Sequence, residues 1–219
     1  MDNRANIKLM NTDCLPAMRK MVDNQYSLAL VDPPYGIDFS SYERGSSGIK
    51  VKERYTKAGK KQWDNAIPTK EYFNELFRIS QNQIIWGGNY FNLPPYKHFI
   101  FWYKKNPVPN FADGELAWTS FNKPAVCFEY MYYGNINTEP NRISPTQKPV
   151  ALYKWLLKNY AKPGDKILDT HFGSLSIGIA CHDYGFDLDA YEIDKDYFEA
   201  GKKRLDVHRL QLETGLWKQ

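Results

Sequence analysis

Tyr26-Ser27-Leu28-Ala29-Leu30-Val31, running into Asp32-Pro33-Pro34-Tyr35-Gly36, is the stretch that decides how this chain folds. The apolar run lacks polar alternation and has the length of a parallel strand covered on both faces. Its carboxyl end is where open α/β sheets place their ligands. Two prolines there lock φ and have no N–H, so their carbonyls are left to accept hydrogen bonds beside the Asp32 carboxylate. With Tyr35 as a stacking face, these residues suit a flat ring that carries an amino group. The plainer alternative is a strand-ending turn with a core tyrosine.

A second stretch, Lys166-Ile-Leu-Asp169-Thr170-His171-Phe172-Gly173-Ser174-Leu175-Ser176-Ile-Gly178 and onward to Gly185, reads as strand, small-residue turn and helix. The next strand, 187–191, ends at Glu192, at the distance where nucleotide-binding βαβ units set an acidic residue on ribose hydroxyls. The turn is not a full G-x-G-x-x-G. Leu175 stands where a glycine is expected, and no basic residue follows to neutralise a pyrophosphate. A nucleoside without phosphates therefore fits better than a dinucleotide or ATP.

Together the two stretches resemble the S-adenosylmethionine-dependent DNA amino-methyltransferases, in the permuted beta group where D-P-P-Y precedes the cofactor motif. Ser144-Pro-Thr146-Gln-Lys148-Pro149 is similar to the H-P-T-x-K-P segment of those enzymes, and Asn11-Thr-Asp13-Cys14-Leu15 to their G-D-C-L segment. The resemblance implies methyl transfer from S-adenosylmethionine to the N6 amine of an adenine flipped out of double-stranded DNA, sequence-specifically. Asp32, Pro33, Pro34 and Tyr35 would form the catalytic set, with the Asp32 carboxylate and Pro33 carbonyl on the amine and Tyr35 stacked on the base. For the cofactor it implies Gly173 with Phe172, Ser174 and Ser176 under the methionine portion, below Asp169. Glu192 would lie on the ribose, Asp13 with Cys14 near the adenine edge, and Thr146 and Lys148 near the amino-acid end. No metal is required.

Each assignment has a structural alternative: Asp13 as cap of a helix starting near Pro16, Lys148 as a solvated lysine, Glu192 as an exposed strand end. Two residues depart from the family pattern. His171 replaces a usual proline and reads as a packing residue, while Leu175 is expected to crowd the cofactor or shift its loop, weakening binding. Aspartate before the prolines leans towards adenine in DNA. Methylation of cytosine N4, RNA or a protein glutamine, and a non-catalytic DNA-binding relative, remain open. DNA contacts are expected from a basic loop at about 38–65 (Arg44, Lys50, Lys52, Arg54, Lys57, Lys60, Lys61) and from Lys104 and Lys105 in a small target-recognition region within about 104–124. That region is short, so either readout is limited to a few base pairs or a second subunit, as in a homodimer, contributes.

At 219 residues the chain suits a single α/β domain, 1–219. The net charge of +4 permits a polyanionic partner without requiring one. Cys14, Cys127 and Cys181 lack metal-ligand or disulfide spacing. With no signal peptide and no apolar run that spans a bilayer, a cytoplasmic protein is expected, with no membrane partner. Strands are predicted at 7–11, 26–31, 83–86, 98–103, 125–133, 166–169 and 187–191, with helices at 15–22, 71–79, 150–160 and 195–212 and one between the small-residue turn and its stop at Gly185. This succession implies a Rossmann-like, mostly parallel seven-stranded sheet with helices on both faces. Its motif order is circularly permuted relative to the common methyltransferase order.

Overall fold

A computed structural model describes residues 5–37, 66–105, 112–132, 143–144 and 146–214. Arg44, Lys50, Lys52, Arg54, Lys57, Lys60 and Lys61 lie outside these residues.

Strand β1 (Ile7–Met10) and helix α1 (Cys14–Met18) precede β2 (Tyr26–Val31), the buried strand read from the apolar run. Its alternate residues feed two cores, as the two-residue strand period requires. Leu28 and Leu30 face one core, and Ala29 and Val31 the other. Helix α2 (Lys70–Ile79) begins at Thr69, whose hydroxyl accepts from the Tyr72 N–H at 3.3 Å, and buries Tyr72, Phe73, Leu76 and Ile79. It leads into β3 (Ser80–Trp86), then β4 (Phe99–Tyr103), β5 (Gly114–Thr119) and β6 (Val126–Glu129). Helix α3 (Val150–Tyr160) buries Leu152, Tyr153, Leu156 and Leu157, and β7 (Lys166–Asp169), α4 (Ser176–Tyr184), β8 (Asp187–Tyr191) and α5 (Lys195–Thr214) complete the order.

The sheet order is β1-β8-β7-β2-β3-β5-β4-β6. Only β5 runs against its neighbours, β3 and β4. The first strand pairs with the last, β1 with β8, so the permuted order closes within one sheet. The core containing α1 and α2 lies on one side of β2, and that containing α3 and α4 on the other. This is the expected fold with one correction: the sheet has eight strands, and β5 is the one the sequence reading left out. Its residues, Gly-Glu-Leu-Ala-Trp-Thr, mix a glycine, a carboxylate and a hydroxyl into six positions, so neither an apolar run nor clean alternation marks it. Helix α1 is also shorter than predicted, because residues 19–22 leave the helix and Arg78 of α2 binds the carbonyls of Met18 and Met21 at 3.0 and 2.7 Å.

The chain diverges at the β7–β2 boundary: β8 and β1 lie beyond β7, and β3 and β5 beyond β2. At such a switch point the loops leaving two parallel strands part and open a crevice. It sets the residues after Asp169 beside those after Val31.

Leu175 occupies the first turn after β7 with φ +57°, the left-handed backbone that glycine adopts freely. Its side chain is fully buried and turns inward, over Gly178 of α4 and against Gly201 of α5. A Cβ on Gly178 would stand 2.7 Å from Leu175 Cγ, and one on Gly201 3.1 Å from Leu175 Cβ. The bulk expected to crowd the crevice is therefore absorbed by two glycines behind it. Gly178→Ala is expected to destabilise the protein by about 1–3 kcal/mol through overpacking, despite a helix-propensity gain of about 1 kcal/mol. Made in a Leu175→Ala background, the same change should be neutral or stabilising, and urea denaturation of the four proteins checks this.

Candidate active site

The carboxyl ends of five adjacent strands converge at the switch point. Asp32 follows β2, Asp169 ends β7, Glu192 follows β8, Asp13 follows β1 by a short turn, and Gly87 follows β3.

Both oxygens of the Asp32 carboxylate are held from within. The Tyr35 hydroxyl donates to Oδ1 at 2.6 Å, and the Lys148 ammonium lies 2.5 Å from Oδ2. Lys148 is 4% exposed, so it is not a solvated lysine. The same ammonium is 2.9 Å from Glu115 Oε2 and 3.3 Å from the Tyr35 hydroxyl, and it lies 5.3 Å from the centre of the Trp86 ring. The Glu115 contact is electrostatic rather than a directed hydrogen bond, since Oε2 has no hydrogen-bond partner among the described residues. Burial pulls the Lys148 pKa down, but the charges of Asp32 and Glu115 more than offset this and raise it. For Glu115 burial acts upward and is outweighed by Lys148 and Lys104, which hold its carboxyl at about 2.

Tyr35 is pinned as well. Its ring stacks on Tyr90 at 5.0 Å and 13°, meets Phe91 edge-on at 6.1 Å, and rests on Gly87. Pro33 is buried, and its carbonyl accepts no hydrogen bond among the described residues.

The second half of the site is the loop after β7. Glu192 is not an exposed strand end. Its carboxylate accepts the Gly173 N–H at 2.9 Å through Oε2 and the Asp194 N–H at 2.9 Å through Oε1. Burial raises its pKa against these backbone bonds. Asp169 is buried and accepts the His171 N–H at 3.0 Å; burial, reinforced by the charges of Asp32 and Glu192, pushes its carboxyl well above the ordinary range. Gly173 has φ +51°, and among the described residues a Cβ built on it meets nothing within 4 Å, so the loop leaves open space there. Phe172 behind it is buried against Phe198. Ser174 and Ser176 are buried, their hydroxyls 3.2 Å apart, and Ser176 donates to the Lys148 carbonyl at 2.7 Å. Arg204 of α5 donates to the Ser174 carbonyl at 2.6 Å and to Ser176 Oγ at 3.0 Å, which ties this loop to the segment carrying Lys148. Thr146 is half-buried, 3.0 Å from the Ser144 hydroxyl.

Asp13 caps α1 by accepting from the Leu15 N–H at 3.0 Å, and the helix starts at Cys14, two residues before the expected Pro16. Burial pushes the Cys14 thiol up to about 12, which leaves it protonated and unreactive. Lys104 pairs with Glu115, and Lys105 lies 2.5 Å from Glu129 at the exposed rim. Among the described residues, His182, Asp183 and His208 are the one group with metal-ligand atoms within 4.8 Å of one another. Asp183 is already paired with His208 and with Lys154, each at 2.6 Å, so the group reads as an ion-paired tie between α3, α4 and α5.

With this geometry in hand, comparison with known families gives one match over most of the chain, residues 26–203, to the N6/N4 family described as DNA methylase. The chain belongs to that family. Similar relatives are the Type II methyltransferase M.HpaI of Haemophilus parainfluenzae (35% identical over 79 residues, 36% of this chain) and the DNA adenine methyltransferase YhdJ of Escherichia coli (31% over 105 residues, 48% of this chain). The matched parts span 24% and 33% of those relatives. Among solved structures the chain is similar to the M1.HpyAVI–SAM complex (TM-score 0.59, 20% identical, 91% of this chain and 99% of that one). It is also similar to the cytosine-N4-specific PvuII DNA methyltransferase (TM-score 0.56, 11% identical, 97% and 94%). At these identities the structural likeness establishes the fold.

The sequence reading missed Glu115, Tyr90 and Arg204. Glu115 was hidden because β5 itself was not seen. Tyr90 follows Gly87-Gly88, whose breaking character masked the short helical turn that aims it, and Arg204 is one of several basic residues on a long polar helix.

Two outcomes follow from this packing. Gly87→Ala would set a methyl 2.2 Å from Tyr35 Cε1 on a backbone with φ +70°. Its destabilisation in urea should exceed that of Gly164→Ala, which has φ +91° and open space, by about 1–3 kcal/mol, with about 1–2 kcal/mol of strain common to both. His171 packs edge-on to Tyr72 and bonds Thr170, and burial lowers its imidazole from the ordinary 6.5 to about 4. The unfolded chain therefore takes up this proton first, so His171 lowers stability as pH falls from about 6.5 to about 4 and adds no further loss below that. His171→Gln should flatten the stability–pH slope in that window, measured by denaturation at several pH values.

Proposed function

We propose that this methylase transfers a methyl group from S-adenosylmethionine to the exocyclic N6 amine of adenine in double-stranded DNA. The observation that carries the reading is the Asp32 carboxylate and the unengaged Pro33 carbonyl, side by side at the end of β2, next to the open loop after β7. The name of the Escherichia coli relative supports adenine as the base.

The residues present suit the cofactor. Gly173 leaves space that no described residue fills, and the Glu192 carboxylate borders it by accepting the Gly173 N–H, an acceptor matched to ribose hydroxyls rather than to a phosphate. Glu192 would meet the ribose, the Gly173–Ser176 loop the methionine portion, Asp13 and Cys14 the adenine side, and Thr146 the amino-acid end. When bound, S-adenosylmethionine supplies an electrophilic methyl on a sulfonium sulfur, and the C–S bonding pair stays on sulfur as the methyl leaves.

The chain's own groups address the harder problem, which is that a base amine has its lone pair delocalised into the ring. Two acceptors on its two N–H groups, the Asp32 carboxylate and the Pro33 carbonyl, favour the pyramidal geometry that frees the lone pair and stabilise the positive charge that grows on nitrogen. Asp32 is then placed to receive the proton that the methylated nitrogen sheds. Tyr35, fixed through its hydroxyl to Asp32, would present its ring to the base, which must leave the duplex to reach this depth. Unstacking costs a few kcal/mol, to be offset by the pocket. Phosphate contacts from the basic segment at 38–65 and from Lys105 at the rim, and an action in the cytoplasm where DNA is exposed, go with this reading.

Incubation of unmethylated DNA with the protein and S-adenosylmethionine, followed by mass spectrometry of the nucleosides, is expected to yield N6-methyladenine. Asp32→Ala should lower the yield per unit time by about 100- to 1000-fold. N4-methylcytosine in its place would reassign the base, and no methylated base at high enzyme and cofactor would overturn the proposal.

A further inference from the structure

Glu115 enters the site from β5, the strand that runs against the rest of the sheet, and has no part in the motifs that carry the family resemblance. Its carboxylate and that of Asp32 lie on either side of one buried ammonium, at 2.9 and 2.5 Å from Lys148 Nζ. The Lys148 side chain is 3% exposed, against 23% and 24% for the two carboxylates, so this cation is solvated by them rather than by water.

That arrangement poses a problem for methyl transfer. Asp32 stabilises positive charge growing on a base amine only to the extent that its own charge is not already spent. A lysine at 2.5 Å spends it. Asp32 and Lys148 alone sum to zero, whereas Asp32, Lys148 and Glu115 sum to one negative charge. Lys104 pairs with the other Glu115 oxygen and is exposed to the same extent as the two carboxylates (22% against 24% and 23%), so the four groups together sum to zero; what Glu115 changes is that the buried ammonium is shared between two carboxylates rather than held by Asp32 alone. Glu115 also gives the Lys148 ammonium a second place to rest when a base amine claims Asp32 Oδ2, without leaving a buried charge unpaired.

We propose that Glu115 is a positioning residue for the transfer: by sharing the Lys148 ammonium it keeps the charge of Asp32 available to the target amine. This rests on the amino-methyltransferase reading above. Glu115 acts through Lys148 and touches neither the base nor the methyl donor.

Glu115→Gln keeps the shape and removes the charge, leaving the ammonium to Asp32. Turnover on unmethylated genomic DNA is expected to fall about 10- to 100-fold, a share of the effect of removing a charge-stabilising group outright, while the dissociation constant for S-adenosylmethionine from equilibrium titration stays within about twofold. Glu115→Asp, which retains the charge, should recover much of the turnover. In a Lys148→Met background Glu115→Gln should cause no further loss. Independently of activity, the 13Cε resonance of Lys148 in lysine-labelled protein should titrate at lower pH in Glu115→Gln than in the wild type.

Turnover of Glu115→Gln within threefold of wild type, an equal loss in the Lys148→Met background, or an unmoved Lys148 titration would each overturn the proposal. If Lys148→Met has no measurable turnover, the titration and the unchanged cofactor affinity decide. A wild-type protein that methylates no base would defeat the reading beneath it, and the lysine titration would still report whether Glu115 holds the ammonium. Loss of folding in Glu115→Gln would be seen by circular dichroism, and Glu115→Asp then carries the comparison.

Discussion

An ammonium withdrawn from water costs several kcal/mol even after the protein relaxes around it, and it persists only where carboxylates replace the solvent. Lys148 is such a group, and much of the site is arranged about it. Asp32 reaches it from the end of β2, Glu115 from β5, and its own backbone is fixed by Ser176, whose hydroxyl bonds the Lys148 carbonyl. One side chain thereby joins the end of a central strand, an antiparallel strand two places along the sheet, and the loop after β7. The Tyr35 hydroxyl completes the set on the far oxygen of Asp32, and Tyr90 and Phe91 hold its ring.

The neighbouring loop is built on the same logic of local expense met from outside. Leu175 holds a left-handed backbone that costs a non-glycine residue on the order of 1 kcal/mol, and it gains burial against Gly178 and Gly201 in return. Because its side chain is directed into the core, the crevice face of the loop is left to Gly173, whose N–H is held by Glu192. Arg204 binds the loop from α5, so the loop after β7 and the Lys148 segment share one hydrogen-bonded frame. Three carboxyl groups, of Asp32, Asp169 and Glu192, lie at adjacent strand ends, and burial with mutual repulsion drives Asp169 upward.

Much of this could be read along the chain. The Tyr26–Val31 run, the small-residue turn after Asp169 and the strand stopping at Glu192 are contiguous signals, each expressed within a few residues. The geometry of Gly87 and of the two aromatics around Tyr35, Tyr90 and Phe91, could not be assigned in this way, and β5 was hidden because its glycine, carboxylate and hydroxyl break the apolar pattern. His171 illustrates the middle ground. Its departure from the family pattern was plain in sequence, but that it packs on Tyr72 with its imidazole held neutral depends on what α2 brings over it.

By itself the sequence determined the central strand, the proline pair that follows it, the permuted order of the motifs and the family they belong to. These are properties of neighbouring residues, governed by hydrophobic period and by the fixed φ and missing N–H of proline. Only the tertiary structure decided that Lys148 lies between Asp32 and Glu115, that Leu175 turns away from the crevice, and that Glu192 holds the Gly173 backbone. The physical reason is that a buried charge or a strained backbone is settled by groups far away in the chain. Ion pairing and close packing at such separation leave no periodic trace in the sequence that produces them.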